Sequence, residues 1–380
     1  MPILDKTASR RVYGKAEVAA PFVNHHHQST QKRWRRLVEG MSLAFAICLA
    51  CASFKVLAAE EAPNETPYRL GDGMKVPGTD LTLGGYATGS FDHLNHAPSR
   101  AAIDNASLFV WWEGTGRWKF FSELDYENVL STRASSIKSE DRYLALERFY
   151  FDYSLTNSTS VRMGKFLTPI GRWNLVHATP LVWTSSRPLV TTQTFPTNMT
   201  GLMVSGTVPY AGDGIEYALY GAGGSDIHPN PDQDTFNEAL GGHLTLPLSA
   251  TSQLGFSLAT FEQQEVSNEK KQLAGIDFVW SHNRYEVSAE GVYRFSDKGG
   301  ERDEKGAFVQ IVAPLTEKLY AVGRFETYRR AQEISETQRW VAGFNYRYTP
   351  AVVLKAEWVE SRHNTIDAPD GFMSSISILF

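Results

Sequence analysis

Arg117-Trp118-Lys119-Phe120-Phe121-Ser122-Glu123-Leu124-Asp125-Tyr126-Glu127 alternates with a period of two. Trp118, Phe120, Leu124 and Tyr126 fall on one side, and Arg117, Lys119, Glu123, Asp125 and Glu127 on the other. Successive side chains of an extended chain point to opposite faces, so the stretch reads as a strand with one apolar and one charged face. A soluble sandwich strand has the same texture, and repetition separates the two readings. The pattern returns in Phe149, Phe151, Tyr153 and Leu155 against Arg148 and Asp152. It returns again in Tyr285, Val287, Ala289, Tyr293 and Phe295 against Glu286, Glu290 and Arg294, and in Trp340, Ala342, Phe344, Tyr346 and Tyr348 against Arg339, Asn345 and Arg347. About 16 such segments of roughly 8 to 12 residues match the ~9 to 11 that a tilted strand needs to cross a bilayer.

The links between segments support that reading. Short links near 114–116, 157–158, 211–214, 248–251, 281–283, 314–318 and 349–351 alternate with longer ones near 92–104, 128–145, 168–200, 223–237, 262–271, 296–305, 330–337 and 362–371. Membrane barrels alternate short turns on one side with longer loops on the other, so the expected fold is all-β: a transmembrane, antiparallel, up-and-down barrel of about 16 strands. Trp112, Trp118, Tyr126, Tyr153, Trp340 and Trp358 are expected near the membrane interfaces.

Residues 1–59 read as an export segment. Lys32, Arg33, Arg35 and Arg36 precede an uncharged apolar stretch, 41–54, and small residues at Ala58 and Ala59. The apolar stretch is too short to span a bilayer as a helix, which needs roughly 17 to 25 residues. Residues 60–80, acidic and punctuated by Pro63, Pro67 and Pro77, suit a periplasmic lead-in, with the barrel from 81 to 380. Both cysteines, Cys48 and Cys51, lie in the export segment, which excludes disulfides and thiolate metal sites from the rest. The export segment takes nine of the 37 Lys and Arg and three of the 42 Asp and Glu, leaving a net charge near −11. That balance argues against nucleic acid, whose partners need a basic face. No cofactor or metal is implied; Asp92, His93 and His96 read as solvated loop residues.

The third long link, 168–200, is the longest, and loops beyond roughly 12 to 15 residues are usually functional or disordered. Trp173, Leu175, Val176, Leu181, Val182, Trp183, Leu189, Val190 and Phe195 give it enough apolar surface to pack against something. The expectation is a loop folded into the lumen that narrows it; a loop capping the rim or lying between subunits is the alternative. It carries Arg172, Arg187 and His177 and no Asp or Glu. Two uncompensated guanidinium groups in a narrow, low-dielectric passage favour anions. Arg148, Arg162, Arg339 and Arg347 would extend that field, while Glu123, Asp125, Glu286 and Glu290 would either cancel it or form with it a transverse field across the pore that orients polar solutes.

The segment Arg162-Met163-Gly164-Lys165-Phe166-Leu167-Thr168-Pro169-Ile170-Gly171 resembles the Arg-x-Gly-x-Phe-x-x-Pro-Phe-Gly segment of the phosphate-selective porin family, with Ile170 in place of the commoner Phe. The resemblance implies a bacterial outer-membrane porin in which Arg162 and Lys165 join Arg172, His177 and Arg187 around the constriction. It implies uptake of small hydrophilic solutes or anions, and a homotrimer. The final segment alternates Phe372, Ser374, Ile376 and Ile378 and stops on Phe380, an ending that resembles the signal read by the barrel assembly machinery. Two other classes stay open: a barrel enzyme of phospholipase or protease type, and a structural or adhesive barrel. No catalytic residues stand out.

Overall fold

Alternation becomes structure in a computed structural model that describes Tyr68–Phe380 except residues 134–135, 139–141, 177, 211–213, 232, 265–268 and 298–302. Residues 1–67, which include the expected export segment, lie outside the described residues. Among those described, sixteen strands form the wall: β1 (Leu81–Leu94), β2 (Arg100–Glu113), β3 (Trp118–Arg133), β4 (Tyr143–Ser154), β5 (Thr159–Leu167), β6 (Asn198–Val208), β7 (Ile215–Gly223) and β8 (Phe236–Ser249). They continue as β9 (Ser252–Gln263), β10 (Lys271–His282), β11 (Tyr285–Ser296), β12 (Glu304–Pro314), β13 (Leu319–Arg329), β14 (Thr337–Thr349), β15 (Val352–Arg362) and β16 (Gly371–Leu379). Each pairs antiparallel with the next, and β16 returns to β1 through Ile376↔Gly89 and Leu379↔Tyr86, so no edge is left open. Phe380 extends the seam: its N–H donates to Gly85 O and its carbonyl accepts from Gly85 N–H, both at 2.9 Å.

Burial is inverted relative to a water-soluble protein. Leu240 and Leu258, on adjacent strands, are 66% and 67% exposed, as are in lesser degree Leu202, Leu219, Ile311, Phe344 and Trp358. Glu123, Glu326, Arg339 and Lys355 are buried on the inner face. Leaving large apolar side chains in water forfeits roughly 1.5 to 3 kcal/mol each, so this outer surface fits hydrocarbon. Trp118, Tyr153, Tyr285, Tyr346 and Tyr348 sit close to the short turns, and Trp340 and Trp358 toward the long loops, forming two girdles. Tyr126 departs from that expectation; it stands at mid-strand opposite Ala106.

The lead-in differs from a plain tether. Met74–Lys75 pairs with Leu83 and Thr82 of β1, and Thr79 Oγ1 closes the intervening turn on Val76 O at 2.8 Å.

Candidate functional site

The link from β5 to β6, residues 168–197, enters the lumen. Its entry depends on two glycines of the 162–171 segment. Gly164 has φ +129°, and a Cβ there would meet Phe149 O at 2.2 Å; Gly171 has φ +65°, and a Cβ there would meet the Glu290 carboxylate at 2.5 Å. Only glycine takes these angles without strain. With no side chain at 171, the backbone N–H of Arg172 reaches Glu290 Oε1 at 2.9 Å, and the Trp173 N–H donates to the same oxygen.

Beyond this hinge the loop includes a 3-10 turn, Trp173–Val176, and a short α-helix, α1 (Leu189–Gln193). Ile170, Val190 and Phe195 pack with Met199 and Met203 of β6, Tyr220 of β7, Phe261 of β9, Val292 of β11 and Phe308 of β12. This apolar core fills one side of the lumen. Further along, the wall supplies the hydrogen bonds that the irregular backbone lacks. Glu357 accepts from Ser185 N–H at 2.9 Å and Ser186 N–H at 2.7 Å, and Glu326 from Leu189 N–H at 2.7 Å. In the other direction Arg324 donates to Ser186 O at 2.9 Å, Arg294 to Thr194 O at 2.7 Å and Lys355 to Thr184 O at 3.1 Å. Strands β11 to β15 therefore spend much of their inward charge on the loop.

The opposite side stays open. An open cavity of about 670 Å³ lies between the loop and β1–β4, lined by Arg187, Trp173 and Phe195 from the loop and by Asp92, Asp104, Asp125, Glu127 and Glu147 from the wall. Asp234 and Arg100 complete its charged lining, six carboxylates against two guanidinium groups. Glu147 and Arg148 both face inward because a bulge lies at this point of β4, where Glu123 opposes Arg148 but Leu124 opposes Leu146.

Comparison with known proteins follows from this geometry. No protein-family model matches the chain. An uncharacterized protein of Aquifex aeolicus (strain VF5) is 21% identical over 358 residues, covering 79% of this chain and 80% of its own length. Among solved structures, the anion-selective porin from Comamonas acidovorans superposes with a TM-score of 0.54 at 13% identity, covering 79% of this chain and 98% of that one. OmpT of Vibrio cholerae gives 0.57 at 9% identity, over 81% and 100%. The outer membrane channel DcaP of Acinetobacter baumannii gives 0.56 at 12%, over 81% and 99%. This chain has the barrel fold of outer-membrane porins.

Within that porin-type barrel the residues expected at the constriction divide. Arg187 lines the cavity, held by Asn174 Oδ1 at 2.8 Å and Thr191 O at 3.1 Å, with its guanidinium 4.8 Å from the Trp173 ring centre. It lies in the loop, not in a spanning strand, and burial pushes its pKa down to about 10, which leaves it cationic at neutral pH. Arg172 is exposed but outside the cavity lining, bonded to Gln253 Oε1 at 3.2 Å. His177 lies outside the described residues.

The rest are engaged elsewhere. Arg162 forms a two-pronged pair with Asp152, both bonds 2.8 Å, and covers the Tyr150 ring at 3.7 Å. Arg148 pairs with Glu123 over the Phe121 ring. Lys165 is fully buried and donates to Asp226 at 2.6 Å and to Ile227 O and His228 O, tying down the loop after β7. Arg339 pairs with Glu326 at 2.8 Å and donates to Arg187 O, while Arg347 lies over Trp183 and reaches Leu181 O at 3.5 Å. None of these five lines the cavity.

Sequence reasoning missed two features. One is the run Asp92, Asp104 and Glu147 at the cavity, which the alternation contained but no single segment singled out. The other is a Ser/His/Asp grouping: His243 Nδ1 and Ser257 Oγ are 2.8 Å apart, and His243 Nε2 is 3.8 Å from Asp277 Oδ2. The signal is invisible in one dimension because β8, β9 and β10 each supply one member. Ser257 is 1% exposed and its hydroxyl accepts from Gly171 N–H at 3.1 Å, so the loop seals the group a nucleophile would present. In this arrangement Ser257 anchors the hinge.

Proposed function

We propose that this chain is an outer-membrane porin through which small hydrophilic solutes diffuse passively. The observation that carries the reading is the half-filled lumen: a loop fixed against one wall, with a charged open cavity against the other, inside a cylinder whose exterior is apolar. A wall of this polarity passes hydrated solutes and requires no energy source or reacting group. Outer-membrane lipid is the surrounding phase, and the barrel assembly machinery, reading the strand that ends at Phe380, is the insertion partner. A homotrimer belongs to the proposal, supported by the trimer form of the Vibrio cholerae OmpT structure with the same fold.

Phosphate-like or general anion preference draws support from Arg187 at the cavity, where the other cation, Arg100, is paired with Asp92 and Asp104. Arg172 is outside its lining, and Arg148, Arg162, Lys165, Arg339 and Arg347 are committed to carboxylates or loop carbonyls. Single-channel recording of the purified, refolded protein in a planar bilayer tests the porin reading. Discrete current steps are expected; a silent bilayer together with hydrolysis of lipid or peptide overturns it in favour of an enzyme.

A further inference from the structure

Facing the loop, β1–β4 form a continuous inward patch. The register sets Ser107 opposite Asp125, Asn105 opposite Glu127, and Tyr86 opposite Ser107. Directly opposed residues have Cβ atoms roughly 4.5 to 5.5 Å apart, so these side chains are contiguous. The patch is rich in oxygen, carboxylates alternating with the hydroxyls of Tyr86, Thr88, Ser90 and Ser107. Asn105 spends its amide N–H on Tyr86 OH at 3.3 Å, and its Oδ1 has no partner among the described residues, while Asp125 stands opposite the Ser107 hydroxyl. Asn105 and Asp125, 8% and 3% exposed, both belong to the cavity lining.

Buried acceptors without donors are costly, roughly 1 to 3 kcal/mol each, and an arriving donor recovers that cost. Around them the cavity holds six carboxylates and two guanidinium groups, and one of the latter, Arg100, is tied to Asp92 at 3.3 Å and Asp104 at 2.8 Å. Arg187, across the cavity, is the cation left facing the wall without a carboxylate bond among the described residues. A solute with several N–H donors and positive charge matches both the field and the orphaned Asn105 oxygen. An anion meets a net negative wall at short range.

We infer that the cavity recognises organic cations bearing primary ammonium groups, with Asp125 and Asn105 as the acceptors that hold one ammonium during passage. This rests on the porin reading and adds the solute class. A chain with an ammonium at each end suits the patch, because one end meets Asp125 while the other enters the field of Asp104, three residues along β2 from Ser107.

The test uses the full refolded protein in a planar bilayer with a potassium chloride gradient and 1,4-diaminobutane as the probe. The reversal potential is expected to have the sign of cation selectivity, and the diamine to reduce potassium current where uncharged 1,4-butanediol at equal concentration does not. Asp125→Asn is expected to weaken that block about tenfold, the effect of losing one charge contact of about 1.4 kcal/mol. Glu127→Gln, on the same strand, is expected to weaken it in the same direction and serves where Asp125→Asn fails to fold. Conducting channels that select chloride, or that the diamine blocks no better than the diol, overturn the inference and leave the porin reading standing. A silent bilayer overturns both.

Discussion

Two inner walls of one barrel carry charged residues at similar density and use them in opposite ways. On β11–β15 many carboxylates and guanidiniums end on a loop N–H or carbonyl: Glu357 on Ser185 and Ser186, Glu326 on Leu189, Arg324 on Ser186, Arg294 on Thr194. On β1–β4 Asn198 and Asn230 bond to Glu147, whereas Asp92, Asp104, Asp125 and Glu127 line the open cavity. Charge on the inside of a barrel therefore acts as a strut for the loop or as the lining of open space according to what lies over it. Position along the chain does not distinguish the two.

The sharpest way to break this contrast is Glu326→Ala. Glu326 is 1% exposed and joins Arg324 at 3.0 Å, Arg339 at 2.8 Å and Leu189 N–H, so its loss strands two buried guanidiniums. The cost is expected to be about 3 to 5 kcal/mol. It should appear as a lower temperature for the gel mobility shift between folded and unfolded protein, with larger or noisier conductance as the loop detaches. Unchanged conductance would mean that the loop is held by its apolar contacts alone.

Ser257→Ala is smaller. It removes the acceptor of Gly171 N–H and is expected to destabilise by about 1 to 3 kcal/mol, with no change in the rate of ester hydrolysis above buffer. Loss of a measurable esterase rate would instead make the Ser257, His243 and Asp277 group a reactive one.

Arg100→Ala acts on the open wall. Two partly exposed pairs vanish, so stability should move by no more than about 1 kcal/mol, yet the reversal potential should shift further toward cations as Asp92 and Asp104 are released. A shift toward chloride would contradict the role given to that wall. Lys119→Ala, which ends an exposed pair with Glu113 at 3.0 Å away from the cavity, is expected to stay within about 0.5 kcal/mol and leave selectivity unchanged.

The wall was legible in the amino-acid sequence because it depends on a local rule. Alternation fixes which face of Arg117–Glu127 is apolar whatever the neighbours are, and the parity of short and long links orders the strands. The inward third loop was legible from its length and from residues such as Val190 and Phe195, which need a partner surface. The cavity was less so. Arg339 and Arg347 face inward as expected, but whether an inward residue meets water or backbone depends on the path of a loop some 150 residues earlier. Distance in sequence likewise hides the hydrogen bond from Gly171 to Ser257, 86 residues apart, and the six-carboxylate lining, which draws on five separate segments.

The loop owes its shape to acceptors and donors on β9, β11, β13, β14, β15 and β16, and it has little regular structure to hold it otherwise. Calibre is thus a property of six strands acting together: a slip of one residue in any of them turns its anchoring side chain to the outer face and releases that part of the loop.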